Sequence, residues 1–161
     1  RLKEKQPDNL GEFTVPVGKI EITKEGSDVT LVTYGSTWRL VEEAAEELGK
    51  IGISAEVIDI QSLIPFDIEH EILESVKKTN RLVVIDEDVE GGATAFMLQQ
   101  ILEKQGAFRY LDSVPMSIAA NDHRPAYASD GDYFSKPSVD DMVEKIYAMF
   151  TEINPQKFPK F

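Results

Sequence analysis

Residues 72–102, ILESVKKTNRLVVIDEDVEGGATAFMLQQIL, decide the fold. An amphipathic stretch ends in Lys77 and Lys78, and a short apolar run follows, Arg81-Leu82-Val83-Val84-Ile85. Four acids come next, Asp86, Glu87, Asp88 and Glu90, before Gly91 and Gly92 open a second, largely apolar helical stretch. This order of helix, buried strand, acidic loop and helix is the repeating unit of a parallel α/β sheet. The carboxyl ends of such strands are where these sheets hold ligands.

The pattern extends in both directions. Strand candidates cover residues 29–34, 55–60, 81–86 and 114–120, each followed by a helix or a long connection, as in consecutive βα units. The first three are nearly continuously apolar, which suits parallel strands covered on both faces, so a three-layer α/β domain is expected. Residues 15–23 alternate loosely and are expected to form an edge strand. Ser36 or Thr37 can cap a first helix with Val41, Ala44, Ala45 and Leu48 inward. Asp67 caps a second helix whose inward residues are Ile68, Ile72 and Val76, with Lys77 and Lys78 at its negative end. A third helix, residues 92–104, is apolar nearly all round and is expected to be the most buried, with Gly106 as its stop. Ser138 and Asp141 resemble a capping box for the last helix, whose stripe is Val139, Met142, Val143, Ile146, Tyr147 and Phe150. Residues 121–137 read as one long loop, and loops of that length in compact domains usually serve function or an interface.

Composition narrows the function classes. A chain of 161 residues fits one domain and needs neither disulfide nor metal to bury a core. The absence of cysteine excludes a thiol nucleophile, a thiolate metal site and a disulfide scaffold, and it agrees with a cytoplasmic location. No apolar run approaches the ~20 residues of a membrane span. A net charge of −12 argues against nucleic acid and anionic membranes as partners, and makes a basic protein the natural electrostatic complement. Residues 1–14 are polar and aperiodic and read as a linker from an N-terminal domain outside the chain; 15–150 read as the folded domain and 151–161 as a tail.

The chemical candidates are thin. Tyr34-Gly35-Ser36-Thr37 could face a phosphate and Asp59 a ribose, yet the turn has one glycine where a dinucleotide fingerprint needs three. Asp86, Glu87, Asp88 and Glu90 are the residue type for Mg²⁺ or Ca²⁺, but neighbours on a strand point to opposite faces, which favours a solvated surface or a cationic partner. Asp130-Gly131-Asp132 lacks the downstream glutamate of a calcium loop. His70 is expected on an exposed helical face. His123, just past a strand end, is the acid–base candidate, with no serine or cysteine partner evident. No catalytic, cofactor-binding or metal-binding residue is assigned from these patterns.

Three stretches in order, VPVGKIEITKEGSDVTLVTYGS, EVIDIQSLIPFD and SVKKTNRLVVIDEDVEGGATA, resemble one known family. It is the C-terminal, transketolase-like domain of the β part of thiamine-diphosphate-dependent 2-oxo acid dehydrogenases, the E1 component of the pyruvate and branched-chain complexes. The resemblance covers about residues 15–150. It implies a mainly parallel sheet with one antiparallel strand and helices on both faces. It further implies that thiamine diphosphate, Mg²⁺ and the catalytic histidine belong to other domains of the parent enzyme, so that this fragment is not catalytic alone. The implied roles are pairing into a homodimer, contact with the E1 α part or N-terminal domains, and docking of the basic binding domain of the E2 acyltransferase. Within the resemblance, Asp112 in Leu111-Asp112-Ser113-Val114-Pro115 takes the place of an acid that contacts that E2 domain. The loop 121–137 and the continuation past Phe150 depart from the family form and bear on E2 recognition. The equivalent domain of transketolase or deoxyxylulose-phosphate synthase, and an unrelated nucleotide-binding α/β module, are the competing readings.

Overall fold

The structure, a computed structural model, describes residues 8–9, 11–124, 127 and 129–160. Its strands are β1 (Glu21–Lys24), β2 (Val29–Thr33), β3 (Ala55–Asp59), β4 (Leu82–Val89) and β5 (Met116–Ala120). Its α-helices are α1 (Thr37–Lys50), α2 (Glu71–Thr79), α3 (Ala93–Leu98), α4 (Ser129–Ser135) and α5 (Val139–Ile153). One sheet has the order β1-β3-β2-β4-β5. β2 lies parallel to both β3 and β4, β5 parallel to β4, and β1 antiparallel to β3. The architecture is thus the expected mainly parallel, three-layer one.

Every residue of β2 is buried, which explains why its sequence shows no alternation. On one face Val29, Leu31, Val57, Val83 and Ile85 meet Val41 and Leu48 of α1 and Met142 and Ile146 of α5. On the other, Val32, Ile58 and Val84 meet Ile72 and Val76 of α2 and Met97 of α3. Each large apolar side chain so buried contributes about 1.5–3 kcal/mol before entropy is counted. Gly26 is required where the chain crosses the start of β3, because a Cβ there would stand 2.2 Å from the Ala55 carbonyl carbon. Residues beyond α5 complete the α1/α5 layer: Phe158 is buried, with its ring centroid 5.8 Å from Tyr147 and 5.4 Å from Phe150.

Several local expectations need correction. The edge strand occupies Glu21–Lys24 alone, and Val15 and Val17 are exposed outside it. Asp86, Glu87 and Asp88 lie within β4, not in a loop, because β4 resumes pairing with β5 at Val89 after a register shift. Ile68 is exposed, since α2 begins three residues later than the periodicity implied. Asp67 nonetheless caps that helix from a distance: its buried carboxylate accepts from the Glu71 and Ile72 amides, both at 3.0 Å. It also accepts from Gln105 Nε2 at 2.9 Å, tying the start of α2 to the far end of the third helical layer. That third stretch is not the most buried helix. α3 continues as a wider, π-type turn over Gln99–Lys104, and only Thr94, Met97 and Ile101 are fully buried. Leu98 and Leu102 pack half-buried against the same core, Phe96 meets Phe66 edge-on at 6.0 Å, and Ala95 is exposed on the outer side of the layer. The long connection 121–137 carries α4, and α5 opens with the expected Ser138–Asp141 capping box.

Candidate functional site

Strand order reverses at β2: β3 lies on one side of it and β4 on the other, so a crevice opens at their carboxyl ends. Tyr34, Gly35, Ser36 and Thr37 form one wall, Asp86, Glu87 and Asp88 the other, and Lys136 closes the rim around about 390 Å³. Gly35 turns the chain from β2 into α1 at φ +63, a left-handed conformation that glycine adopts without strain. Tyr34 donates to buried Asp86 at 2.9 Å, and the Glu87 amide donates to the same carboxylate at 2.7 Å. Burial first, then that hydrogen bond and the charges of Asp86, Asp88 and Glu87, push the Tyr34 phenol up to about 12. Ser36 and Lys136 both donate to Glu87, at 3.2 and 3.0 Å. The Glu87 pairing corrects the capping expectation at α1: Ser36 stands at the N-cap position, but its hydroxyl is drawn to Glu87 and makes no cap bond.

The acids that the sequence groups are therefore split by their partners. Asp86 serves Tyr34, Glu87 serves Lys136 and Ser36, and Asp88 accepts from the Val89 amide. Among the described residues no three His, Asp or Glu side chains converge on a point that could hold a metal ion. Asp59 is half-buried, accepts from the Gln61 amide at 3.0 Å, and is held above the usual carboxylate range chiefly by burial. His70 is exposed and precedes α2 in a left-handed conformation, so it is not on the helix face. His123 is exposed; its Nδ1 lies 3.0 Å from the Arg124 carbonyl oxygen and its ring 5.7 Å from that of Phe134. The side chains of Asp130 and Asp132 lie outside the described residues.

The opposite end of the sheet holds a different surface. β5 is an edge strand, and a groove of about 980 Å³ runs beside it between α3 and α5. Glu90, Asp112, Val114, Leu98, Lys145 and Glu152 line it. Val114 is 83% exposed. Asp112 sits just before β5 with its side chain 45% exposed. Arg81, which in sequence is only the start of a strand, reaches it: Nη2 lies 2.6 Å from Asp112 Oδ2. The same guanidinium donates to the Asp28 and Thr79 carbonyls and lies over the Phe150 ring at 5.1 Å. The only sequence signal for this pair was an arginine and an aspartate each standing just ahead of a strand.

A mainly parallel sheet with one antiparallel edge, a switch-point crevice and an acid-lined edge groove define the class, a three-layer α/β domain. The family model described as "Transketolase, C-terminal domain" matches residues 18–139, and the chain belongs to that family. Pyruvate dehydrogenase E1 component subunit beta-2, mitochondrial, of Oryza sativa subsp. japonica is 40% identical over 132 residues, covering 81% of this chain and 34% of that protein. The E1 component subunit beta of Rhizobium meliloti (strain 1021) is 34% identical over 140 residues, covering 87% of this chain and 30% of that protein. The chain thus spans about a third of the length of these relatives. A solved structure described as "Split gene transketolase, inactive beta4 tetramer" superposes with a TM-score of 0.70 at 26% identity, covering 87% of this chain and 45% of that one. A 2-oxoglutarate:ferredoxin oxidoreductase from Magnetococcus marinus shares the fold, with a TM-score of 0.55 at 15% identity over 88% of this chain and 21% of that one.

Proposed function

We propose that this chain is the assembly and partner-docking domain of an E1 component of a 2-oxo acid dehydrogenase complex, working in the cytoplasm. The parent enzyme would decarboxylate a 2-oxo acid oxidatively and pass the acyl group to the lipoyl group of E2. The observation that carries the reading is the match to E1 β subunits, joined to the acid-lined groove at Asp112 beside an open sheet edge. A basic E2 binding domain is the complement of that groove in charge. The N-terminal domains or the E1 α part, and a second copy of the chain, are the remaining partners of this reading. The solved structural neighbour is itself described as a β4 tetramer, which supports self-association.

Thiamine diphosphate and Mg²⁺ belong, on this reading, to other domains of the parent. The residues here do not suit a diphosphate: the crevice by α1 is walled by Asp86, Glu87 and Asp88, whose charge repels it. The chain alone therefore performs no decarboxylation, and calorimetry should detect no micromolar thiamine diphosphate binding. The equivalent domain of transketolase is the second reading, favoured by that same solved neighbour. Affinity for the cognate E2 binding domain, measured at two salt concentrations with wild type and Asp112→Ala, decides between them. Salt-sensitive binding weakened by the substitution supports docking; equal affinities without salt dependence remove it.

A further inference from the structure

The docking surface already carries a cation of its own. We propose that Arg81 is a built-in competitor for Asp112, lowering the affinity of this surface for basic partners and setting how much positive charge a partner must bring. The inference rests on the docking reading above and concerns its regulation.

Arg81 is anchored through both terminal nitrogens, while its buried Nε has no hydrogen-bond partner among the described residues. Its side chain is 16% exposed, and it is held by two main-chain carbonyls, the Phe150 ring and Asp112. Asp112 is fixed more loosely: its amide donates to the Asn80 carbonyl at 3.0 Å, while the carboxylate stands 45% exposed at the groove. Arg81 occupies Oδ2, so an incoming cation meets a carboxylate whose charge is largely matched. Sharing that carboxylate puts two cations beside each other; displacing Arg81 breaks a 2.6 Å contact. Either route weakens docking relative to an unpaired aspartate. The groove's other charged lining residues are Glu90, Glu152 and Lys145, so pairing Asp112 internally removes one of three acids on offer. The Asn80 bond fixes only the Asp112 main chain, so the half-exposed carboxylate is free to turn from Arg81 toward a partner's cation, which favours competition over simple support.

The test is calorimetric titration of the 161-residue protein with the cognate E2 binding domain at low and moderate salt. Wild type is compared with Arg81→Gln, Arg81→Lys, Asp112→Asn and the Arg81→Gln/Asp112→Asn double variant. Arg81→Gln should tighten binding by about two- to fivefold at low salt, the range that an exposed ion pair represents, and steepen the salt dependence. Arg81→Lys keeps the charge and the stem over Phe150 but loses the guanidinium fork, and should tighten by a smaller factor. In the Asp112→Asn background the gain should vanish. Unchanged or weaker binding by a folded Arg81 variant overturns the inference, and where Arg81→Gln fails to fold, Arg81→Lys decides it alone. A wild type that binds E2 and weakens with Asp112→Asn, yet gains nothing from the Arg81 variants, sinks this inference and leaves docking standing. A wild type with no salt-sensitive binding sinks both.

Discussion

Two ion pairs stand at the amino end of the same sheet, and water separates their roles. Glu56 of β3 is wholly buried beneath α2 and pairs with Lys78, which also reaches Glu25 at 3.1 Å. Asp112 lies at the β5 edge, half-exposed, and pairs with Arg81. Beside Glu56, Thr30 shares short hydrogen bonds with Ser75 at 2.6 Å and Thr79 at 2.7 Å, so α2 seats on the sheet through a buried polar seam. Glu56 Oε1 has no hydrogen-bond partner, which leaves Lys78 as the main compensation for that charge. A carboxylate without water depends on its cation for folding. One that keeps water can exchange its cation for a partner's.

The largest expected effect follows from the buried pair. Lys78→Met should cost about 3 kcal/mol in urea unfolding, the low end for stranding a buried charge because water reaches the lysine side. Adding Glu56→Gln should recover most of the loss. A cost below about 1 kcal/mol would erase the contrast and class this pair with surface bridges. The hydrogen bonds to Glu56 and Glu25 hold the Lys78 ammonium above its ordinary range, the Glu56 bond being the larger cause.

Asp67→Ala comes next, at about 1–2 kcal/mol, since the Glu71 and Ile72 amides and the Gln105 side chain lose one buried acceptor. Its loss should loosen the same α2 layer that Glu56 and Lys78 hold, and hydrogen exchange should show the faster opening confined there. Uniform acceleration across the sheet would show instead that α2 does not open on its own.

At the exposed pair, a double-mutant cycle of Arg81→Gln and Asp112→Asn on stability should return at most about 1 kcal/mol. A larger coupling would mean Asp112 is fixed as firmly as Glu56 and is not free to serve a partner.

The smallest effect is confined to alkali. The Tyr34 phenol, pushed up to about 12 from 10, keeps its proton in the folded state after the unfolded chain has lost it. Its contribution to stability is complete below pH about 10 and fades as pH rises toward 12. Tyr34→Phe should flatten that part of the stability profile. An unchanged alkaline limb would show that the Tyr34–Asp86 bond opens freely to water, as at Asp112.

Parts of these sites were legible in the chain itself. Lys77 and Lys78 at a helix end, Asp67 ahead of α2 and Ser138 with Asp141 are local signals, because caps and dipoles act within a turn or two. Arg81 with Asp112 and Glu56 with Lys78 were not, since 31 and 22 residues separate the partners. The acids 86–88 read as a loop because charge suggests solvent; renewed pairing of Val89 with β5 keeps them in the strand.

By itself the sequence determined the layered α/β order and an acidic character, since periodicity, caps and composition are properties of short stretches, while three ordered stretches carried the family resemblance. Tertiary structure alone decided which acid is sealed under α2, which stands open at the β5 edge, and which cation each receives. Burial and pairing depend on what the rest of the chain brings alongside, and no local pattern carries that information.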